Sequence, residues 1–328
     1  SSSSSSADHL GAIRFACVVA YDGTSFHGWQ TQGAREPNTV QGHIERRLGK
    51  MLRRPCRIVA NGRTDAGVHS LGTVFHVDMT AADLRVLKAM ALPRQNKSRV
   101  RCCHSSSSNV SSSSSSSSKS NTNSVVETQF STQDVHDISG FLLTTLRRGI
   151  PGGDQPGAIR LIRVFPVNAH LFHARGSCVG KRYVYRVAEG FADPLEARAC
   201  WSLHGKLLDV EAMNQAAQWL CGVHDFSVFG REQEGDPRSP IRNLSRLAVI
   251  REVDKTDPFG YGYVRIEAEC DFFLWNMCRR LVGLLVNVGM GEVGVGELTS
   301  VLGTEFRRPP SQSRSKFVTT APAKGLCL

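Results

Sequence analysis

The sequence predicts an α+β protein with helices packed on antiparallel or mixed sheets. Three observations point there. Strand-like and helix-like stretches mix in both halves of the chain instead of segregating. Several strands come as strand–turn–strand units, as in residues 244–253 and 261–268 joined by 255–260. The helical stretches carry apolar residues at helical spacing on one stripe only, so each needs a sheet or another helix to cover it. At 328 residues the chain can hold one large or two medium domains.

In chain order, residues 1–10 open on a serine run and read as a disordered tail. From Ile13 the run Ile-Arg-Phe-Ala-Cys-Val-Val-Ala-Tyr predicts a strand with a buried face, closed by the turn Asp22-Gly23-Thr24. Thr39 then stands as the N-cap of a helix on which Ile44, Leu48, Met51 and Leu52 recur. Short strands over 57–60 and 73–77 flank a dense polar stretch with two glycines, and a helix over 81–90 follows. From about 93 to 136 the composition turns to Ser, Asn, Thr and Gln, which cannot bury enough apolar area to offset the entropy of ordering. That segment reads as a surface insertion, or as a stretch whose own sequence has been replaced, and in either case it carries no chemistry. Order returns at Ile138, with a strand over 161–167.

The second half begins near 171, giving domains over 11–170 and 171–328. Residues 181–187 alternate as a strand with Tyr183 and Tyr185 on one face. A helix over 210–220 buries Met213, Ala216, Ala217 and Leu220. After the strand pair already named, a long helix spans 274–288.

Composition excludes several kinds of function. The ten cysteines have no CxxC pair and read as reduced, buried thiols. His170 and His173 lack companions at zinc spacing, so no metal is expected. No nucleotide-cofactor fingerprint is present, and no cofactor is expected. The apolar stretch 272–290 is broken by Asn276, Arg279, Arg280 and Asn287, which makes it a poor membrane span. Forty basic against 29 acidic side chains, a net +11, favour a polyanionic partner, though basic proteins that never meet nucleic acid are common. The chain starts on serine, so a targeting segment ahead of it stays open, as does the compartment: cytoplasm, chloroplast or mitochondrion.

One segment concentrates chemistry: Asn61-Gly62-Arg63-Thr64-Asp65-Ala66-Gly67-Val68-His69. Its turn-forming residues make Asp65 a loop-closing side chain on one reading. On another, Asp65 sits beside Arg63 in a stretch rich in Arg and Lys, and a carboxylate among guanidiniums stays ionised and oriented, fit to act as a nucleophile. The basic run from Arg46 to Arg57 could grip phosphates or be a solvated face.

The contiguous Gly62-Arg63-Thr64-Asp65-Ala66-Gly67-Val68-His69 resembles the signature of TruA-type tRNA pseudouridine synthases. Further pieces resemble that family in the same order: Tyr21-Asp22-Gly23-Thr24-Ser25-Phe26-His27-Gly28-Trp29-Gln30 with Thr39-Val40-Gln41, Phe172-His173-Ala174-Arg175, and Lys181-Arg182-Tyr183-Val184-Tyr185. They continue with His224-Asp225-Phe226-Ser227-Val228-Phe229, Arg238-Ser239-Pro240-Ile241-Arg242, and the segment 273–283. The resemblance implies the pseudouridine synthase fold, two α+β domains whose mixed or antiparallel sheets meet at a central basic cleft. It implies an isomerase that breaks the N1–C1′ bond of uridine and rejoins the base through C5, acting in the anticodon stem-loop of tRNA within positions 38 to 40. By the same resemblance Asp65 is the catalytic carboxylate, Tyr183 the tyrosine that stacks on the base, and Arg279 the arginine paired with Asp65. Arg63 is then the group that moves the target nucleotide out of its stack, or a phosphate contact. His69, Gln30, His173 and Arg175 are lesser substrate-side residues, with a structural role equally open for His173. The resemblance implies a homodimer, as in bacterial members, with the monomer of eukaryotic members as the alternative.

Trp275 and Asn276 depart from the family pattern, where His or Gln residues are common, and Arg148-Gly149-Ile150-Pro151 stands as the remnant of a segment the insertion interrupts. Two rivals remain. A former synthase could hold tRNA, or aid its folding, without chemistry. A glycosidase would need a second carboxylate about 5–10 Å from Asp65, and none is evident in sequence.

Overall fold

Two sheets, one antiparallel and one mixed, organise the chain, and its last residues join them. The computed structural model describes residues 12–30, 38–91, 130–150, 157–230, 239–253, 261–302 and 317–328. The serine tail, most of the low-complexity stretch, Pro151 and Arg238 lie outside the described residues.

The first sheet holds β1 (Ile13–Tyr21), β2 (Val59–Ala60), β3 (Ser70–Met79) and β4 (Ile159–Val167) in the order β2-β3-β1-β4, all antiparallel. Helices α1 (Val40–Leu52), α2 (Ala81–Ala91) and α3 (Thr132–Gly149) supply the apolar stripes over it. Thr39 caps α1 by accepting from the Gly42 amide, as its position before the apolar repeat predicts. Ser131 opens α3 with a capping box through Asp134, whose carboxylate also meets Lys88 of α2 at 2.6 Å. The stretch expected to stay irregular to about 136 is therefore helical from Thr132, because the Ser-x-x-Asp box and the following apolar residues outweigh the local polarity.

The second sheet runs β10-β5-β9-β8-β7: β5 (Lys181–Ala188), β7 (Gly222–Asp225), β8 (Ile241–Val253), β9 (Gly262–Cys270) and β10 (Leu326–Cys327). A short strand, β6 (Trp201–Ser202), pairs with β5 in parallel, so the sheet is mixed. Helices α4 (Val210–Leu220), α5 (Met277–Gly289) and α6 (Val295–Leu302) complete this half. Thus α5 starts three residues later than the periodicity predicts. Asn276 sits in the left-handed region at φ 62°, and this turn keeps Leu274 and Trp275 out of the helix. Among the described residues no helix is long and apolar enough to cross a membrane.

The expected boundary near 170 falls between β4 and β5, yet the halves interlock across it. Val68 packs into the core of the second half. The His69 amide donates to the Leu326 carbonyl at 3.0 Å, and Leu71 and Leu328 continue the pairing. Residues 317–328 form a strap over α5. A Cβ on Gly283 would lie 2.1 Å from the Thr319 carbonyl oxygen, so the helix must present glycine where the strap crosses.

Candidate active site

The connection between β2 and β3 carries Arg63 and Asp65, and its shape is fixed from both sides. Asn61 pairs with Val74 through its amide, while the Thr64 hydroxyl meets the Tyr21 hydroxyl at 2.8 Å. Gly67 turns the chain at φ 77°, where a side chain would be strained. The loop 22–30 clasps this connection. Trp29 donates its amide to the Thr64 carbonyl, and a Cβ on Gly28 would stand 2.7 Å from the same oxygen. A Cβ on Gly23 would stand 2.0 Å from the Val68 carbonyl. Gly23 opens the expected turn, its carbonyl accepting from the Phe26 amide at 3.0 Å, and it also permits this close approach to a distant backbone. The two motifs, 21–30 and 62–69, are thus halves of one packed unit.

Asp65 opens into a pocket walled by both halves of the molecule. Its side chain is 33 % exposed; Oδ2 lies 3.8 Å from Nη1 of Arg279, and Oδ1 accepts from the Trp275 indole at 3.0 Å. The shorter bonds of Arg279 go elsewhere: Nε donates to the Ala321 carbonyl at 2.7 Å and Nη1 to the Asn276 side chain at 3.3 Å. The arginine is therefore oriented by the strap and the helix start, and it presents its charge to Asp65. Tyr183, on β5, is 7 % exposed and meets Phe273 edge-on with ring centroids 5.0 Å apart. Burial, with smaller contributions from Cys278, Tyr21 and Asp65, pushes its phenol well above the usual range, so it stays protonated.

Arg63, Arg175 and Lys181 line the same pocket, in which Asp65 is the one acidic side chain among the described lining residues. Partial burial and then the neighbouring Arg175 press the Arg63 guanidinium down from its ordinary value. Two guanidiniums held this close favour an anion between or across them.

The remaining candidates lie elsewhere. His69 is buried in the seam between the halves: Nδ1 accepts from the Gly23 amide at 3.1 Å, and Nε2 faces the carbonyls of Arg198 and Lys324. It holds backbone and does not line the pocket. Gln30 is half-buried at the end of its loop, also outside the pocket lining. His173 is exposed, accepts from the Gly176 amide, and packs its ring against His76 at 4.9 Å. In the basic run beside the loop, Arg54 is committed to Asp83, whereas the Arg57 side chain is 86 % exposed and lies 3.5 Å from Glu45.

The family model described as tRNA pseudouridine synthase matches residues 17–109 and 216–328. The chain is 32 % identical over 318 residues to "tRNA pseudouridine synthase A" of Paramagnetospirillum magneticum, covering 96 % of this chain and 93 % of that protein. It is 31 % identical to the protein of that name from Leifsonia xyli subsp. xyli, over 97 % of this chain and 90 % of the relative. Its likeness to the Rhodospirillum centenum protein of that name is 30 %, covering 95 % and 96 %. The chain belongs to the TruA-type tRNA pseudouridine synthase family. It is accordingly an isomerase.

For this TruA-type enzyme, sequence reasoning missed three pocket contributors. Trp275 entered only as a departure from the family pattern, although its indole reaches Asp65. Lys181 passed as the first residue of a strand, although a Cβ on Gly62 would stand 2.1 Å from its ammonium nitrogen, which marks how tightly it crosses the Asp65 loop. Phe273 backs Tyr183. An aromatic and a lysine next to recognised motif positions were the available signals.

His76 on β3 was missed as well. It is 3 % exposed, and its Nδ1 accepts from the Ala174 amide at 3.1 Å, anchoring the connection that brings Arg175 to the pocket. Burial foremost, then Arg14 and more weakly His173, push its pKa down to about 4 against an opposing pull from Asp78. An unfolded histidine titrates near 6.5, so the unfolded chain takes up this proton first. The stabilisation is complete above about pH 6.5 and falls as pH drops towards 4, by about 3 kcal/mol in all. Thermal unfolding followed across that window should lose Tm more steeply in the wild type than in His76→Asn, whose oxygen can still accept from Ala174. Equal slopes would contradict the assignment.

Proposed function

We propose that this chain converts uridine to pseudouridine in the anticodon stem-loop of tRNA, within positions 38 to 40, with Asp65 as nucleophile or base. The N1–C1′ bond breaks, the base turns, a C5–C1′ bond forms, and the proton leaving C5 is matched by one gained at N1. Nothing is oxidised or reduced, so no redox partner enters the balance. The observation that carries this reading is the setting of Asp65. One carboxylate oxygen takes the Trp275 N–H and the other faces Arg279, inside a pocket walled by the Tyr183 ring. A flat wall beside a fixed negative charge suits an everted pyrimidine, and stacking of that kind contributes about 1–3 kcal/mol.

In this reading the pocket is the inner end of a basic cleft between two α+β domains. Arg63 and Arg175 grip the backbone of the flipped nucleotide, Tyr183 stacks on its base, and Arg279 presents its positive charge to Asp65. His69, His173 and Gln30 support surrounding backbone. A homodimer is taken as the acting form. The choice of the anticodon arm rests on the ordered motifs shared with the family, and the choice of tRNA also on what the relatives are named for.

Treating unmodified tRNA with the purified protein and mapping pseudouridine along it is the direct test. New pseudouridine at any of positions 38 to 40 is the expected result. Bound tRNA with no new pseudouridine anywhere would make the chain a binding protein, and product confined to another arm would overturn the choice of target.

A further inference from the structure

Trp275 combines features that ordinary packing does not require. It is a large apolar side chain left 44 % exposed in the pocket wall, with its single polar atom spent on Asp65 at 3.0 Å. That N–H engages a residue 210 positions away and belongs to a 44 % exposed side chain. The backbone behind it is held on three sides. Asn276 turns at φ 62°, the Met277 amide donates to the Leu274 carbonyl at 3.1 Å, and Gly230 packs so closely that a Cβ there would lie 2.3 Å from the Leu274 Cβ and 3.2 Å from the Trp275 carbonyl oxygen.

The two oxygens of Asp65 are consequently unequal. Oδ1 is a short, directional acceptor for an indole N–H, while Oδ2 faces Arg279 at 3.8 Å, beyond hydrogen-bonding range. A carboxylate turns about its Cβ–Cγ bond with a broad, roughly two-fold preference. One charge at 3.8 Å fixes that rotation poorly; a hydrogen bond to the opposite oxygen fixes it well.

We propose that Trp275 is a positioning residue for the reaction, its indole N–H holding Oδ1 of Asp65 so that Oδ2 is the oxygen presented to the target nucleotide. This rests on the reading of Asp65 as the catalytic group. The side chain that does this work has to be a donor held in a fixed place, which the indole N–H on this constrained backbone is. The partner chemistry is thus the enzyme's own carboxylate, and Trp275 lines the same pocket as Asp65 and Tyr183.

The test compares Trp275→Phe and Trp275→His with the wild type on a tRNA anticodon stem-loop, reading kcat and KM separately and checking thermal stability. Phenylalanine keeps the flat ring and removes the donor; histidine restores a donor on a smaller ring. A lost hydrogen bond to a charged group corresponds to about ten- to a hundredfold. The expected result is a fall of that size in kcat for Trp275→Phe, with KM within about twofold and Tm preserved, and partial recovery of kcat in Trp275→His. Wild-type kcat in Trp275→Phe would overturn the proposal. So would a raised KM at unchanged kcat, which would make the ring a stacking platform. Asp65→Asn, assayed alongside, separates this from the larger reading. If that variant is inactive while Trp275→Phe is normal, only the role of Trp275 fails; if it isomerises uridine normally, the catalytic assignment itself fails.

Discussion

Asp65→Asn should lose isomerisation by at least about a thousandfold while binding tRNA within a fewfold of the wild type. Removing a group that forms or breaks the bond costs far more than removing one that merely assists, as knock-outs of nucleophiles and bases show. Asparagine keeps the shape and can still accept from the Trp275 indole, so the loop between β2 and β3 should stay in place. That loop is held by Tyr21, Trp29, Gly23 and Gly28, none of which touches the carboxylate in its bonding. The tRNA contacts assigned to Arg63 and Arg175 are likewise unaltered, and they lie on the same pocket. Loss of product with retained affinity is therefore the signature of a chemical role. Parallel loss of both would show that Asp65 organises the pocket instead, and undiminished product would end the enzyme reading built on it. Product is best measured in single-turnover reactions with enzyme in excess, so that tRNA release does not mask the step.

How far this site could be read from sequence depends on how local each signal is. The strand β1 and the helix α1 follow from alternation and from a Thr cap ahead of an apolar repeat, all within a short window. The turn at Gly67 is equally local. By contrast, β10 is two residues long and has no pattern to detect, yet it links the two halves through His69. The need for glycine at position 23 arises from a carbonyl at position 68, which no window around residue 23 contains. Asp65, Tyr183 and Arg279 were grouped because their motifs resemble one family in order; spacing alone could not have brought together positions so far apart. The Trp275–Asp65 bond lies beyond both routes: the family pattern marks position 275 as a departure on the substrate side, but not the carboxylate its indole meets. His76 was invisible for a related reason: an alternating strand explains its burial but not the amide it receives from Ala174.

Arg279→Met should lower kcat by about a hundredfold or more and also cost about 1–3 kcal/mol of stability, because this side chain does two jobs. The stability part comes from its short bond. Nε donates to the Ala321 carbonyl at 2.7 Å, and the Ala321 amide returns a bond to the Arg279 carbonyl, so the strap 317–328 is fastened to α5 at this point. Methionine fills the space and leaves that carbonyl without its donor. The catalytic part comes from Nη1, which faces Asp65 at 3.8 Å with the two side chains 19 % and 33 % exposed. At that distance and exposure the ion pair adds little to folding, as partly solvated pairs generally do. In the proposed mechanism its value lies in what it does for the Asp65 carboxylate as the bond to the base is broken and remade. Arg279→Lys separates the two jobs: one ammonium cannot reach both the Ala321 carbonyl and Asp65, so either stability or kcat should recover in part, but not both. If Asp65 and Arg279 act as one unit, Asp65→Asn combined with Arg279→Met should be no slower than Asp65→Asn alone, since the arginine has no carboxylate left to serve. A multiplicative loss in the double variant would mean that Arg279 acts on the RNA directly and that its closeness to Asp65 is incidental.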